Sequence, residues 1–501
     1  MGYNTSLRMQ VWYIHPERKS IMAEPRLNPR EKARLEEQKK NRKTRNRYLL
    51  IGLAILLMVV LVLFVNSRMF LDGLAAVKVG DTKYTVADVN YEYQRGYMQF
   101  TQSYGDYLSM FLDTSKPLSE QECMLDSDGG TWDDYFKKNA ESALVQNTGF
   151  YKAAQEAGYT LTEEEQSQID GVISNYESFG KMYGYTDVDG YLAANFGAGN
   201  NEKTVRRHLA QQLVIERYLN DLYESYTFTD QEKDDYYKEH ADTLDRVNVS
   251  YAYLTGEDAA EKALQIVAAM EGTEEADFTA AVKEVTDTEP TATSYSLTGF
   301  DSQYGQSVTR EELVPGKVFT QQNDAAWYVV YIKGLENNAY NTVSVRHILI
   351  KAVDADGDGK FSDEEKQTAY DAVKAIEDEW RAGAATEESF AALANEKSED
   401  SGSNENGGLY ENIYKGQMVS EFDAFCFGDH KKGDVEIVYG ESDSYTGYHL
   451  VYFVGADGEL YSRILAENEL RTEAYNAKAA ELTDGLTAER TAMWRYVMKN
   501  N

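Results

Sequence analysis

The stretch VSVRHILIKAV, residues 343–353, reads as a β-strand rich in Val and Ile, with His347 near its middle. A second strand-like stretch, TGYHLVYFVG at 446–455, carries His449 near its middle. Between them, residues 364–383 and the shorter ESFAALANEKS have helical patterns. If the two outer strands are neighbours in one sheet, their imidazoles can face each other across it. The chain holds six histidines, and a lone histidine is usually structural. Pairing by topology is what singles out these two.

Upstream, the same pattern occurs once more. VNVSYAYLTG (247–256) is strand-like, residues 258–272 are helical, and AAWYVVYIKG (325–334) is strand-like. The overlay places Tyr253 on His347 and Tyr328 on His449, giving an internal repeat of roughly one hundred residues. Earlier still, a short strand at 76–79, a turn at Gly80-Asp81 and the cap Thr85 lead into long helical patterns at 132–158, 162–184, 201–226 and 229–242. The tail from Ala456 is largely helical. The expected class is therefore α+β: a single transmembrane helix, a helical domain, two α/β units and a C-terminal helix. The boundaries are 1–47, 48–66, 68–242, 245–336, 341–455 and 456–501, with the last helix packing back on the helical domain.

Residues 48–65, YLLIGLAILLMVVLVLFV, are eighteen uncharged, almost wholly apolar residues, about 27 Å of helix. The first 47 residues carry thirteen Lys/Arg against five Glu, a net +8, within a chain of formal charge −34. By the positive-inside rule the N-terminus is expected to be cytoplasmic and the acidic remainder, at −42, outside. That acidity excludes nucleic acid as a partner, because phosphates would be repelled. Cys123 and Cys426 show no metal-binding spacing, and Cys426, in EFDAFCF, reads as a buried thiol.

VRHILIK (345–351), FAALANEKSEDSGSNENGGLYENIYKGQMVSEFDAF (390–425) and GYHLVYF (447–453) together resemble a parvulin-type peptidyl-prolyl isomerase domain. The helical domain, the second unit and the returning helix resemble extracytoplasmic foldases of the PrsA/SurA-like kind. The resemblance implies His347 and His449 as the paired catalytic histidines and Asp400 as their acidic partner. It implies Ser444 and Thr446 as accompanying hydroxyls, and a proline pocket of Leu409, Gln417, Met418 and Phe422. The first unit, with tyrosines for histidines and no SEDSGS or GQM counterpart, reads as a degenerate copy.

DADGDGKFSDEE, residues 354–365, has the spacing of a calcium loop. The expected ligands are Asp354, Asp356, Asp358, Lys360 through its carbonyl, Ser362 through water, and Glu365, with Gly359 at the sharp turn. A single loop entered from a strand argues for a structural clip rather than a sensor. The leading expectation is a single-pass, membrane-anchored isomerase and chaperone of a Gram-positive-type bacterium. It would act on unfolded or nascent exported proteins with X–Pro bonds, need no cofactor for catalysis, and be compatible with a dimer. The alternative is a non-catalytic holdase or assembly scaffold on the same fold.

Overall fold

The computed structural model describes residues 29–65, 74–127, 129–304, 309–323, 326–357, 359–442 and 444–498. Residues 1–28 of the basic segment and 66–73 lie outside them. The fold is mixed, with fourteen α-helices and three antiparallel sheets described. The chain divides into two compact units, one of residues up to 215 plus 485–501, the other of residues 216–484.

In the first unit, β1 (Ala75–Val79) and β2 (Thr82–Thr85) form a hairpin that turns at Gly80, where φ is 54°. Thr85 then caps the Val86–Tyr104 helix: its Oγ1 accepts from the Asp88 amide while the Asp88 carboxylate accepts from the Thr85 amide. Trp132, Phe136 and Leu144 of the Trp132–Glu156 helix bury against Phe100, Val77 and Val79. The chain's last described segment completes this core. β11 (Ala488–Arg490) pairs with β1, and Val497 is buried in the same cluster.

The second unit holds two four-stranded antiparallel sheets. The first comprises β3 (Arg246–Leu254), β4 (Thr291–Tyr295), β5 (Val318–Asn323) and β6 (Ala326–Glu336), in the order β4-β3-β6-β5. The next four strands, β7 (Val343–Lys351), β8 (Leu409–Ile413), β9 (Val435–Ser442) and β10 (Tyr445–Gly455), adopt the equivalent order β8-β7-β10-β9. In both sheets the first and last strands are the central neighbours, as the repeat requires. Two helices cover the gap between first and second strands: Ala259–Ala269 with Glu275–Thr286, and Asp363–Ala382 with Glu387–Lys397.

The Asp230–Leu244 helix, the last one expected in the helical domain, falls in the second unit, and the Tyr461–Thr483 helix packs on it. A charged seam joins the two helices. The nearly buried ammonium of Lys233 meets the carboxylates of Glu459 and, at 3.0 Å, Glu467. Arg463 grips Asp230 at 2.6 Å and Asp234 at 2.7 Å.

Among the described residues no helix is long and apolar enough to cross a membrane. The Pro29–Val65 helix does contain the apolar run, and its side chains from Tyr48 to Leu61 stand exposed. The side chains of 62–65, and residue 66, lie outside the described residues.

Lys233→Ala removes two charge-assisted hydrogen bonds from carboxylates that water still reaches, and is expected to destabilise the second unit by about 2 kcal/mol. Urea unfolding of the chain checks this, and a loss under about 1 kcal/mol would show that the seam holds without it.

Candidate active site

Antiparallel pairing of β7 with β10 sets His347 opposite Val451 and His449 opposite Leu349. The two histidines are therefore diagonal neighbours on one face of the sheet. Their rings meet through Nδ1 and Nδ1 at 3.0 Å, and both are buried. His347 Nε2 lies 2.9 Å from Asp400 Oδ2 and 3.0 Å from Ser403 Oγ. Ser403 and Tyr410 hydroxyls both donate to Asp400 Oδ2, Tyr410 at 2.9 Å. At the other end, the Tyr445 hydroxyl is 2.8 Å from His449 Nε2.

One assignment of protons satisfies every group. Tyr445 O–H donates to His449 Nε2, His449 Nδ1–H to His347 Nδ1, and His347 Nε2–H to the Asp400 carboxylate. The electrostatics agree. The His347 hydrogen bond, helped by those from Ser403 and Tyr410, holds the Asp400 carboxyl well below the usual carboxylate range despite its partial burial. Burial, and next the neighbouring His347, push the His449 imidazole down to about 3, so it is neutral at pH 7. Burial and Asp400 push the Tyr410 phenol up to about 12. The result is a chain of aligned dipoles ending on a fixed negative charge.

Short sequence devices make room for this line. Ser398 Oγ accepts from the Leu349 amide at 3.1 Å, docking the SEDSGS turn on β7. Gly408, at φ 67°, brings its carbonyl to the His347 amide at 2.8 Å. A Cβ there would fall 2.2 Å from the His347 carbonyl oxygen. At Gly440 a Cβ would lie 2.7 Å from His449 Nε2, so glycine leaves space for the ring pair.

Phe422 stands edge-on to both imidazoles, with ring centroids 5.1 Å from His449 and 5.5 Å from His347. Met418 packs half-buried on the same apolar cluster. These two expected pocket residues therefore gather beside the histidines. Three groups of expected residues lie away from the ring pair. Leu409 pairs with Arg346, so strand alternation turns it to the opposite face, and Tyr410 instead stacks on His347 at 4.9 Å. Gln417 spends its side chain on its own turn, Oε1 accepting from the Tyr414 amide at 3.1 Å. Thr446 is one residue out of phase with His449, and Ser444 is exposed and bonded to Ser442 at 3.0 Å. Tyr445, in phase with His449, supplies the hydroxyl. Period-two counting back from His449 would have found it. Ser403 lay inside the SEDSGS motif, whereas Tyr410 sits on an edge strand with no clear sequence signal.

Among the described residues the first sheet carries no such network. Tyr253 lies opposite Tyr328, and Tyr251 lies opposite Val330, so Tyr251 rather than Tyr253 takes the register position of His347. Phe300, Tyr304 and Phe319 fill the face beside Tyr328. The Tyr304 hydroxyl is buried without a hydrogen-bond partner among the described residues.

Immediately after β7, Asp354, Asp356 and Glu365 offer carboxylate oxygens that lie within 4.8 Å of one another. Gly359 has φ 77°, and its amide donates to Asp354 Oδ2 at 2.9 Å. Glu365 also caps the Asp363–Ala382 helix, accepting from the Ser362 amide at 2.8 Å. The donor set suits a hard divalent cation. Asp358 lies outside the described residues, and Lys360 and Ser362 occupy the turn between the two carboxylate ends.

Residues 330–455 match the family model of the PPIC-type PPIase domain. The chain thus carries a parvulin-type peptidyl-prolyl isomerase domain, and the histidine pair, Asp400 and Phe422 all lie within the matched span. Solved structures align over more of the chain. The peptidylprolyl isomerase PrsA of Bacillus cereus is 18% identical, covering 60% of this chain and 88% of its own, with a TM-score of 0.20. PrsA of Bacillus subtilis is 16% identical, covering 77% and 93%, with a TM-score of 0.27. A SurA-like chaperone of Campylobacter jejuni is 12% identical, covering 83% and 100%, with a TM-score of 0.13. No curated protein matches the chain.

A histidine kept neutral by the fold contributes stability above its unfolded pKa near ~6.5, and that contribution is lost as pH falls towards the folded value. Between pH 6.5 and 4.5 the isomerase domain is expected to lose thermal stability, at up to about 1.4 kcal/mol per pH unit. His449→Asn should flatten this slope. Asp400 adds its own loss only below about pH 4, where its unfolded carboxyl protonates. Melting temperature against pH in both proteins checks the assignment.

Proposed function

We propose that the protein is a membrane-anchored foldase that isomerises X–Pro bonds in exported, unfolded polypeptides. The observation that carries the catalytic part is the aligned network from Tyr445 through His449 and His347 to Asp400, set against Phe422. Isomerisation of an X–Pro amide makes and breaks no covalent bond, but its barrier is about 20 kcal/mol because twisting destroys amide resonance. Phe422 and Met418 would hold the pyrrolidine ring in an apolar slot. The network would present fixed dipoles and the Asp400 charge to the twisting amide without reorganising. Asp400 is already engaged by three donors, so its role is a fixed charge rather than a nucleophile. Asp400→Ala is expected to lower the isomerisation rate of an Ala-Leu-Pro-Phe peptide about a hundredfold, read by exchange NMR, in a domain that stays folded but melts at a lower temperature because three donors lose their acceptor. An unchanged rate would remove Asp400 from the mechanism, and no rate above background in the unaltered chain would leave the domain as a binding platform, the holdase reading.

The anchoring part rests on the apolar run at 48–65 with its basic flank, and on the exposure of Tyr48 to Leu61. With the basic flank inside, the acidic remainder would lie outside the cytoplasm. There the 354–365 loop would bind calcium as a clip beside β7, through Asp354, Asp356, Asp358 and Glu365 with the Lys360 carbonyl and a water on Ser362. Catalysis itself draws on no metal. Calcium at tenfold its Kd is expected to stabilise the domain by about 1.4 kcal/mol, and chelation to reverse this. In Asp354→Asn/Glu365→Gln the shift should vanish. Calorimetry of the unaltered chain at millimolar calcium showing no shift would end the proposal.

A further inference from the structure

The loop 414–418 carries Met418 to the histidine face, yet residues 415–417 are exposed and β7 and β10 do not hold them. What holds the loop comes from elsewhere in the second unit. Glu336, the last residue of β6 in the first sheet, pairs with Lys415 Nζ at 3.1 Å. Tyr340, in the connection between the sheets, accepts from the Lys415 amide at 3.1 Å through its hydroxyl, and the Lys415 ammonium lies 4.6 Å over its ring. That ring meets Phe427 edge-on at 5.8 Å and Tyr461 at 5.6 Å. Tyr414 stacks on Tyr461 at 4.5 Å and 9°. From inside, Asp423 Oδ1 accepts from the Gly416 amide at 2.8 Å.

We propose that Tyr340, seconded by the Glu336–Lys415 pair, is a positioning residue for the prolyl slot, so that the connection between the two sheets sets where Met418 stands. On the loop's outer side lies a cleft of about 810 Å³ lined by Glu336, Tyr340, Tyr414, Lys415, Asp423 and Tyr461. The loop's exposed residues 415–417 are held there by these few contacts. Their weights differ. The Glu336–Lys415 pair is well exposed and screened, so it contributes little alone. The Tyr340 hydroxyl fixes the backbone of Lys415, and its ring joins Phe427 and Tyr461, so Tyr340 dominates. None of these residues touches the histidine network, and the expected effect is on substrate binding rather than on the chemical step.

This inference rests on reading Met418 and Phe422 as the prolyl slot. The test uses the full chain labelled with ¹³C at methionine methyls and the Ala-Leu-Pro-Phe peptide. Tyr340→Ala is expected to move the Met418 methyl resonance and weaken peptide affinity about tenfold, with kcat within about twofold. Tyr340→Phe, which keeps the ring contacts, and Lys415→Ala should each weaken it less. An unmoved Met418 resonance and unchanged affinity, with only a lower melting temperature, would reduce Tyr340 to a structural role and overturn the proposal. Failure of the unaltered chain to bind the peptide would overturn it as well. Absence of turnover with binding intact would count against the isomerase reading alone, since affinity and methyl shift are read without turnover.

Discussion

The site depends on the register between β7 and β10. Two histidines 102 residues apart share a hydrogen bond because the antiparallel ladder places them diagonally on one face. A slip of one residue would turn one imidazole into the helix-covered face, among Ile348, Trp380 and Leu450. The register is defended by those residues. Ile348 and Leu450 are fully buried under the Asp363–Ala382 and Glu387–Lys397 helices, so a slip would expose them and bury polar groups instead. The apolar side of the sheet thus fixes the geometry of the polar side.

The two sheets of the second unit separate scaffold from chemistry. They share strand order, helix placement and a central strand pair. In one, the central face holds a hydrogen-bonded line in which each donor has an acceptor. In the other, Tyr251, Tyr253, Tyr304 and Tyr328 pack as aromatic rings, and one hydroxyl is left buried without a partner among the described residues. The two strand registers are equivalent, with Tyr251 and Tyr328 standing where His347 and His449 stand, so the sheets differ in side chains rather than in pairing. Ring contacts are broad in angle, whereas an imidazole–imidazole hydrogen bond requires donor and acceptor within about 3 Å.

Charge acts at the edges of this arrangement. The carboxylates of the 354–365 loop follow β7 directly, and the Lys233 seam ties the Asp230–Leu244 and Tyr461–Thr483 helices together. Tyr461 opens the second of these helices and stacks on Tyr414 of the Met418 loop. The seam therefore holds in place the helix end on which the Met418 loop rests.

Much of this was legible from local pattern. The alternating strands around His347 and His449, the repeat, the Thr85 and Ser362 caps and the carboxylate spacing at 354–365 are properties of neighbouring residues, which a one-dimensional reading captures. Asp400, Met418 and Phe422 were legible through their motif. The rest needed the fold. Tyr445 displaced Ser444 and Thr446 because side-chain direction depends on strand phase. Tyr410 displaced Leu409 because an edge strand pairs at a register that short, half-polar sequence does not specify. Gln417 turns away because its side chain accepts from the Tyr414 amide of its own turn. The returning helix packs on the Asp230–Leu244 helix, where Lys233 and Arg463 find carboxylates more than two hundred residues away. Amino-acid order sets which elements form and what chemistry they carry. Which side chains meet is decided by packing, where burial and hydrogen-bond satisfaction select one register from several that the sequence alone allows.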